Sequence, residues 1–148
     1  MKKIVDYRKL LNVNETAELQ ELKTVYRDLI KTWHPDKFAS NEAEKLAAEE
    51  KSKYIIEAYH FLVSIAPETR SLTIDSYSNT INSGILSFDY KSQVLTVAFA
   101  DGNTYEYFDL PKAVYVKLIN SDSPGRFARR HIFSEYVYRS TNRLAATA

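Results

Sequence analysis

The chain has 148 residues, enough for one ordinary domain or two small ones, each near the lower limit at which a hydrophobic core sustains itself. Hydrophobic residues make up 45% and charged residues 26%, the balance of a folded globular chain, and a formal charge of +1 excludes any global pull toward nucleic acid or anionic lipid. Cysteine is absent, which rules out disulfides, thiol catalysis and cysteine-containing zinc sites. Asp6, Arg8 and Lys9 interrupt the apolar run that a signal peptide would need after Met1-Lys2-Lys3, and no stretch approaches transmembrane length, so the expectation is a cytoplasmic protein with no membrane partner.

In chain order, Asp6 precedes Tyr7-Arg8-Lys9-Leu10-Leu11, which predicts one or two helical turns with Asp6 as N-cap. A longer helix is expected from Thr16 as N-cap, because Leu22, Val25, Tyr26, Leu29, Ile30 and Trp33 recur at helical spacing. Lys23, Arg27 and Lys31 are four residues apart and line up as a basic ridge on that helix. It must stop near Trp33, since Pro35 pushes His34 out of helical dihedrals. After a polar loop, Asn41 and Glu44 have the spacing of a capping box and start a helix through about Val63, with Ala48, Ser52, Ile55, Tyr59 and Leu62 as its buried stripe. Pro67 opens a fourth helix expected to end around Tyr77.

Ser78-Asn79-Thr80 then reads as a polar connector. Beyond it the period changes to two: Leu86, Phe88 and Tyr90, followed by Leu95, Val97 and Phe99, predict half-buried strands, and Asp101-Gly102 supplies the turn into a third strand over 103–108. Pro111 starts a helix through about Ile119. Pro124-Gly125 breaks it, a basic helical turn or two follows, and Tyr136-Val137-Tyr138 is expected as a last short strand.

His34-Pro35-Asp36 lies between the two long helices, with an aromatic residue before it, Tyr7 and Leu10-Leu11 upstream, and Glu57-Ala58-Tyr59 downstream. A bare tripeptide is a weak signal, and the context is what makes it specific. Pro35 fixes the backbone and lacks an N–H, Asp36 offers a carboxylate, and His34 can donate and accept, so the three make a compact polar fingertip. The arrangement resembles the J domain of DnaJ-type cochaperones. The resemblance implies that His34, Pro35 and Asp36 contact the ATPase of a DnaK-type chaperone, and that Lys23, Arg27, Lys31 and Lys37 steer the basic helix onto an acidic groove of that partner. Asp28 stands where many J domains carry a second basic residue, and Ser52 occupies a position usually aromatic. No glycine-phenylalanine-rich segment and no cysteine-rich zinc module accompany the domain.

The second half centres on Tyr105-Glu106-Tyr107-Phe108, with Val114-Tyr115, Gly125-Arg126-Phe127, Arg130-His131-Ile132 and Tyr136-Val137-Tyr138-Arg139 around it. It resembles the KTSC domain, named for its occurrence at the C-terminus of some lysyl-tRNA synthetases. Arg126, Arg129, Arg130, Arg139 and Arg143 among aromatic residues suit single-stranded nucleic acid, with Tyr105 and Tyr107 as stacking rings. Equally, tyrosines in short strands serve as core residues, and both readings stand at this point.

The expected fold is therefore mixed: an all-α four-helix J domain with an antiparallel helical hairpin at 1–77, a linker at 78–83, and a small α+β KTSC-like domain at 84–143 built on a three-stranded antiparallel meander. His34, His60 and His131 lie in separate elements, and no phosphate loop or nucleophile motif occurs, so neither an enzyme nor a metal or cofactor site is expected. The expected function is stimulation of a DnaK-type chaperone ATPase with the C-terminal module as adaptor, the alternative being an RNA-binding protein that recruits a chaperone. Ile56, Phe61 and Tyr54 fall off the main stripe of the third helix, which predicts that the second module or the connector covers them.

Overall fold

The computed structural model describes residues 2–38 and 40–141, and Arg143 lies outside them. The chain divides into two compact units, Lys2–Ser71 and a second from Leu72 onward.

In the first unit, α1 spans Lys2–Leu11, α2 Leu19–Trp33, α3 Glu42–Ile65 and α4 Pro67–Leu72, with a 3-10 turn at Pro35–Phe38. α1 begins before Asp6 because Ile4, Tyr7 and Leu11, at positions i, i+3 and i+7, are all buried and need one continuous helical stripe. Thr16 does not cap α2. Its hydroxyl and its amide both donate to Asn14 Oδ1, at 2.7 and 2.9 Å, in a local turn that uses them up, and the helix starts three residues later with Glu18 in the cap position. At the other end His34 has ψ 130°, the extended value that a following proline enforces. Asn41 caps α3 as its spacing predicts, its Oδ1 accepting from the Glu44 amide at 3.1 Å.

α2 and α3 form an antiparallel hairpin. Tyr26 stacks on Tyr59 with ring centroids 4.1 Å apart, and one end further on Ser52 Oγ donates to the Trp33 carbonyl at 2.9 Å, so contacts climb one helix as they descend the other. α1 closes the hairpin through Tyr7, whose ring meets Phe61 at 5.2 Å and Tyr54 at 5.6 Å. Phe61, expected to need cover from the second module, is thus covered within its own unit by Tyr7.

The second unit comprises α5 Ile74–Ile81, β1 Ile85–Lys91, β2 Val94–Phe99, β3 Thr104–Tyr107, α6 Lys112–Ile119, α7 Pro124–His131 and β4 Tyr138–Ser140. Its sheet is an antiparallel β1-β2-β3-β4 meander with four strands where three were expected in the meander, because the chain returns after α7 to pair with the free edge of β3. That pairing also moves the last strand from 136–138 to Tyr138–Ser140, setting Tyr138 opposite Tyr107 on the buried face.

Two further expectations change. Leu86 is exposed rather than half-buried, since a register irregularity between Ile85 and Ser87 lets Ile85 take the inward place and leaves Leu86 facing out. The supposed connector at 78–83 is mostly helix. Ser78 and Asn79 are the wet side of α5, whereas Tyr77 and Thr80 are buried beneath them. The expected fourth helix therefore breaks at Thr73, and Tyr77 belongs to the second core, with Leu95, Val97, Phe99, Tyr107, Leu118, Ile132 and Phe133. A polar string in sequence is here the solvent face of an amphipathic helix.

Candidate functional site

The first unit presents His34-Pro35-Asp36 at the tip of the α2–α3 hairpin. The His34 and Asp36 side chains retain 52% and 89% of their accessible surface, so both are open to a partner. The Asp36 amide donates to His34 Nδ1 at 3.2 Å, and the Lys37 amide donates to the His34 carbonyl at 3.0 Å. With Nδ1 accepting, the neutral imidazole carries its proton on Nε2, the nitrogen left for an outside acceptor. The carboxylate Oδ2 of Asp36 lies 3.6 Å from Nδ1, so both polar groups occupy one small tip.

The root of this tip is held from α3. Trp33, the last residue of α2, stacks on Phe38 of the 3-10 turn with centroids 6.3 Å apart, the Lys51 ammonium sits 5.5 Å from the Trp33 ring centre, and Ser52 binds the Trp33 carbonyl. Pro35 and Phe38 are half-buried, so the loop rests on aromatic and proline surface while its polar atoms face water. The sequence reading placed Ser52 in an apolar stripe and missed its partner. A lone hydroxyl at a position facing the end of α2 was the available signal.

Lys23, Arg27 and Lys31 are all exposed along α2, and Lys37 is exposed in the turn. Among the described residues no acid pairs with any of these four. Their charges are therefore directed outward, into solvent. Asp28 is also exposed on α2.

In the second unit the candidate residues separate. Arg126, Arg129 and Arg130 are exposed on α7, and their spacing of three and four residues puts them on one side of that helix. Tyr105 and Tyr107 are buried in the core, Tyr107 completely. This corrects their assignment as stacking rings: a base needs an exposed ring face, and these faces are occupied by Tyr77, Phe99, Phe133 and Tyr138. Burial, with Tyr77 alongside, pushes the Tyr107 phenol far above its ordinary value near 10. Phe133 and Tyr138 are buried too, whereas Phe127 and Tyr136, the other aromatic residues among the arginines, are half-buried. Arg139 faces Glu106 across the β3–β4 pair, Nε to Oε1 3.6 Å, as an ion pair within the sheet.

Among the described residues no group of three histidine or acidic side chains could hold a metal ion. No described helix is long and apolar enough to cross a membrane.

Comparison with known proteins agrees with this division. The DnaJ domain matches residues 6–72 and the KTSC domain matches residues 78–136. The chain is 39% identical to the chaperone protein DnaJ of Thermoplasma volcanium over 85 residues, which is 57% of this chain and 22% of that protein. It is 43% identical to the chaperone protein DnaJ of Thermosipho africanus over 67 residues, 45% of this chain and 16% of the relative. The DnaJ of Thermoplasma acidophilum is 47% identical over 57 residues, 38% of this chain and 15% of that protein. In each case the chain spans less than a quarter of the relative's length. The chain carries a DnaJ domain followed, toward its C-terminus, by a KTSC domain.

Proposed function

We propose that this protein is a cochaperone whose J domain stimulates the ATPase of a DnaK-type chaperone, with the KTSC unit as the adaptor that selects what the chaperone is brought to. The observation that carries the reading is the exposed His34-Pro35-Asp36 tip, braced from α3 and continuous with the unpaired basic ridge Lys23, Arg27 and Lys31. The ridge supplies long-range attraction and register, and the tip supplies directional hydrogen bonds. On this reading the chain performs no bond chemistry. It acts by binding one conformational state of its partner more tightly than another, which is the only way a ligand can shift such an equilibrium.

Single-turnover ATP hydrolysis by a purified DnaK-type chaperone tests the reading. The wild-type chain should accelerate hydrolysis and His34→Gln should abolish the effect while the melting curve is retained, since His34 is exposed and glutamine keeps a side-chain acceptor, so the substitution should cost no more than about 0.5 kcal/mol. Equal stimulation by wild type and variant would overturn the role of the tip.

For the KTSC unit, the alternative of RNA binding rests on Arg126, Arg129 and Arg130 alone, because the rings that would have stacked on bases are in the core. Adaptor contact with protein is the reading that needs no exposed aromatic platform.

A further inference from the structure

We infer that Ser52 is a positioning residue for the His34-Pro35-Asp36 tip, setting the direction in which His34 leaves α2. The inference rests on the cochaperone reading above and adds a residue that the tripeptide motif does not contain.

A helix end leaves its last carbonyls without intrahelical donors. At Trp33 the usual replacements are spoken for. Pro35 has no N–H, the Asp36 amide donates to His34 Nδ1, and the Lys37 amide, which would have continued the helix by bonding the Trp33 carbonyl, donates to the His34 carbonyl at 3.0 Å. The donor that reaches the Trp33 carbonyl is Ser52 Oγ, at 2.9 Å and from 19 residues away on α3. A serine within a helix commonly bonds back to a carbonyl of its own preceding turn. Ser52 instead reaches across to the neighbouring helix.

That bond acts on the peptide plane between Trp33 and His34. The orientation of this plane fixes the backbone from which the imidazole projects, and with it the internal bond from the Asp36 amide to Nδ1. Lys51, the preceding residue, sits against the Trp33 ring, so the ring is engaged from α3 as well as the carbonyl. Without the Ser52 hydroxyl the ring contacts with Phe38 and Lys51 remain, and the peptide plane regains freedom to rotate. The tip would then stay folded and lose its fixed geometry.

The test uses the full chain carrying Ser52→Ala and Ser52→Thr, read by ATPase stimulation and by the Asp36 amide resonance in NMR. Ser52→Ala should lower maximal stimulation about fivefold, the factor expected from one hydrogen bond of ordinary strength, while the half-saturating concentration stays within about twofold because the α2 ridge is untouched. Ser52→Thr, which keeps a hydroxyl, should restore stimulation. The Asp36 amide should move in the alanine variant and return in the threonine variant. Wild-type stimulation by Ser52→Ala, or a loss that threonine does not rescue with the Asp36 amide unmoved, overturns the inference. If the wild-type chain itself fails to stimulate, the cochaperone reading falls, and the amide resonance alone then decides whether Ser52 positions the tip.

Discussion

The Tyr77 hydroxyl donates to the Phe133 carbonyl at 2.6 Å and lies 3.0 Å from the Tyr107 hydroxyl, tying α5 to the centre of the KTSC unit. Its ring also stacks on Tyr138 at 3.9 Å with the planes 7° apart. Tyr77 falls between the two matched segments, 6–72 and 78–136, yet it is a core residue of the second. Tyr77→Phe should therefore destabilise the second unit by about 1–3 kcal/mol, because it strips a donor from a buried carbonyl. A fragment starting at residue 73 should melt cooperatively, and one starting at residue 78 should not, as followed by circular dichroism. Equal melting of the two fragments would show that α5 is dispensable.

Reversing one charge on the ridge should act on encounter rather than on fold. Lys31→Glu is expected to raise the half-saturating concentration for ATPase stimulation and to flatten its dependence on salt, since exposed charges are screened over about 10 Å at 0.1 M ionic strength. Titrations at two salt concentrations check this. The melting temperature should be unchanged, because Lys31 is exposed and no acid among the described residues pairs with it.

Tyr107 predicts an alkaline limit to stability. Its phenol is held protonated in the fold by burial, well above the ordinary value of 10.0. The unfolded chain releases that proton as pH rises past about 10 and the folded chain does not, so the stabilisation is fully present below that pH and declines above it, by at most about 1.4 kcal/mol per pH unit. Denaturant midpoints measured from pH 8 to 11 should fall above pH 10. Tyr107→Phe, which has no proton to release, should reduce the slope of that fall, and an identical slope in the variant would assign the limit to other groups.

The α7 arginines can be separated from the buried rings. Any binding of a single strand by Arg126, Arg129 and Arg130 should be electrostatic alone, with a log-log salt slope near roughly −2 from three phosphate contacts. Replacing the three arginines should remove it. Tyr105→Ala and Tyr107→Ala should instead unfold the KTSC unit, at about 3–5 kcal/mol for truncating a buried ring. Thermal melts run beside a fluorescence titration distinguish the two results; a folded Tyr107→Ala variant with reduced affinity would return the rings to the binding surface.

Local rules determined much of this protein from sequence alone. The stop at Trp33 follows from Pro35, the start of α3 from Asn41 and Glu44, and the strands of the second unit from alternation at Leu95, Val97 and Phe99, each set by residues within one turn or one hairpin of the feature. The His34-Pro35-Asp36 tip was legible from its context between the two long helices, with Tyr7 upstream and Glu57-Ala58-Tyr59 downstream, and not from the tripeptide alone. What only the tertiary structure decided are contacts between residues far apart in the chain. Tyr77 and Thr80 look like the tail of one helix and a polar connector until Phe133 and Asp101 accept their hydroxyl protons. Tyr105 and Tyr107 suit both base stacking and core packing by residue type, and the fold buries them in the core. Ser52 reads as one more member of a helical stripe until the Trp33 carbonyl is found 2.9 Å away. Periodicity reports which side of an element faces inward, whereas the partner that meets it there depends on how distant segments pack, and a single sequence does not encode that as any local pattern.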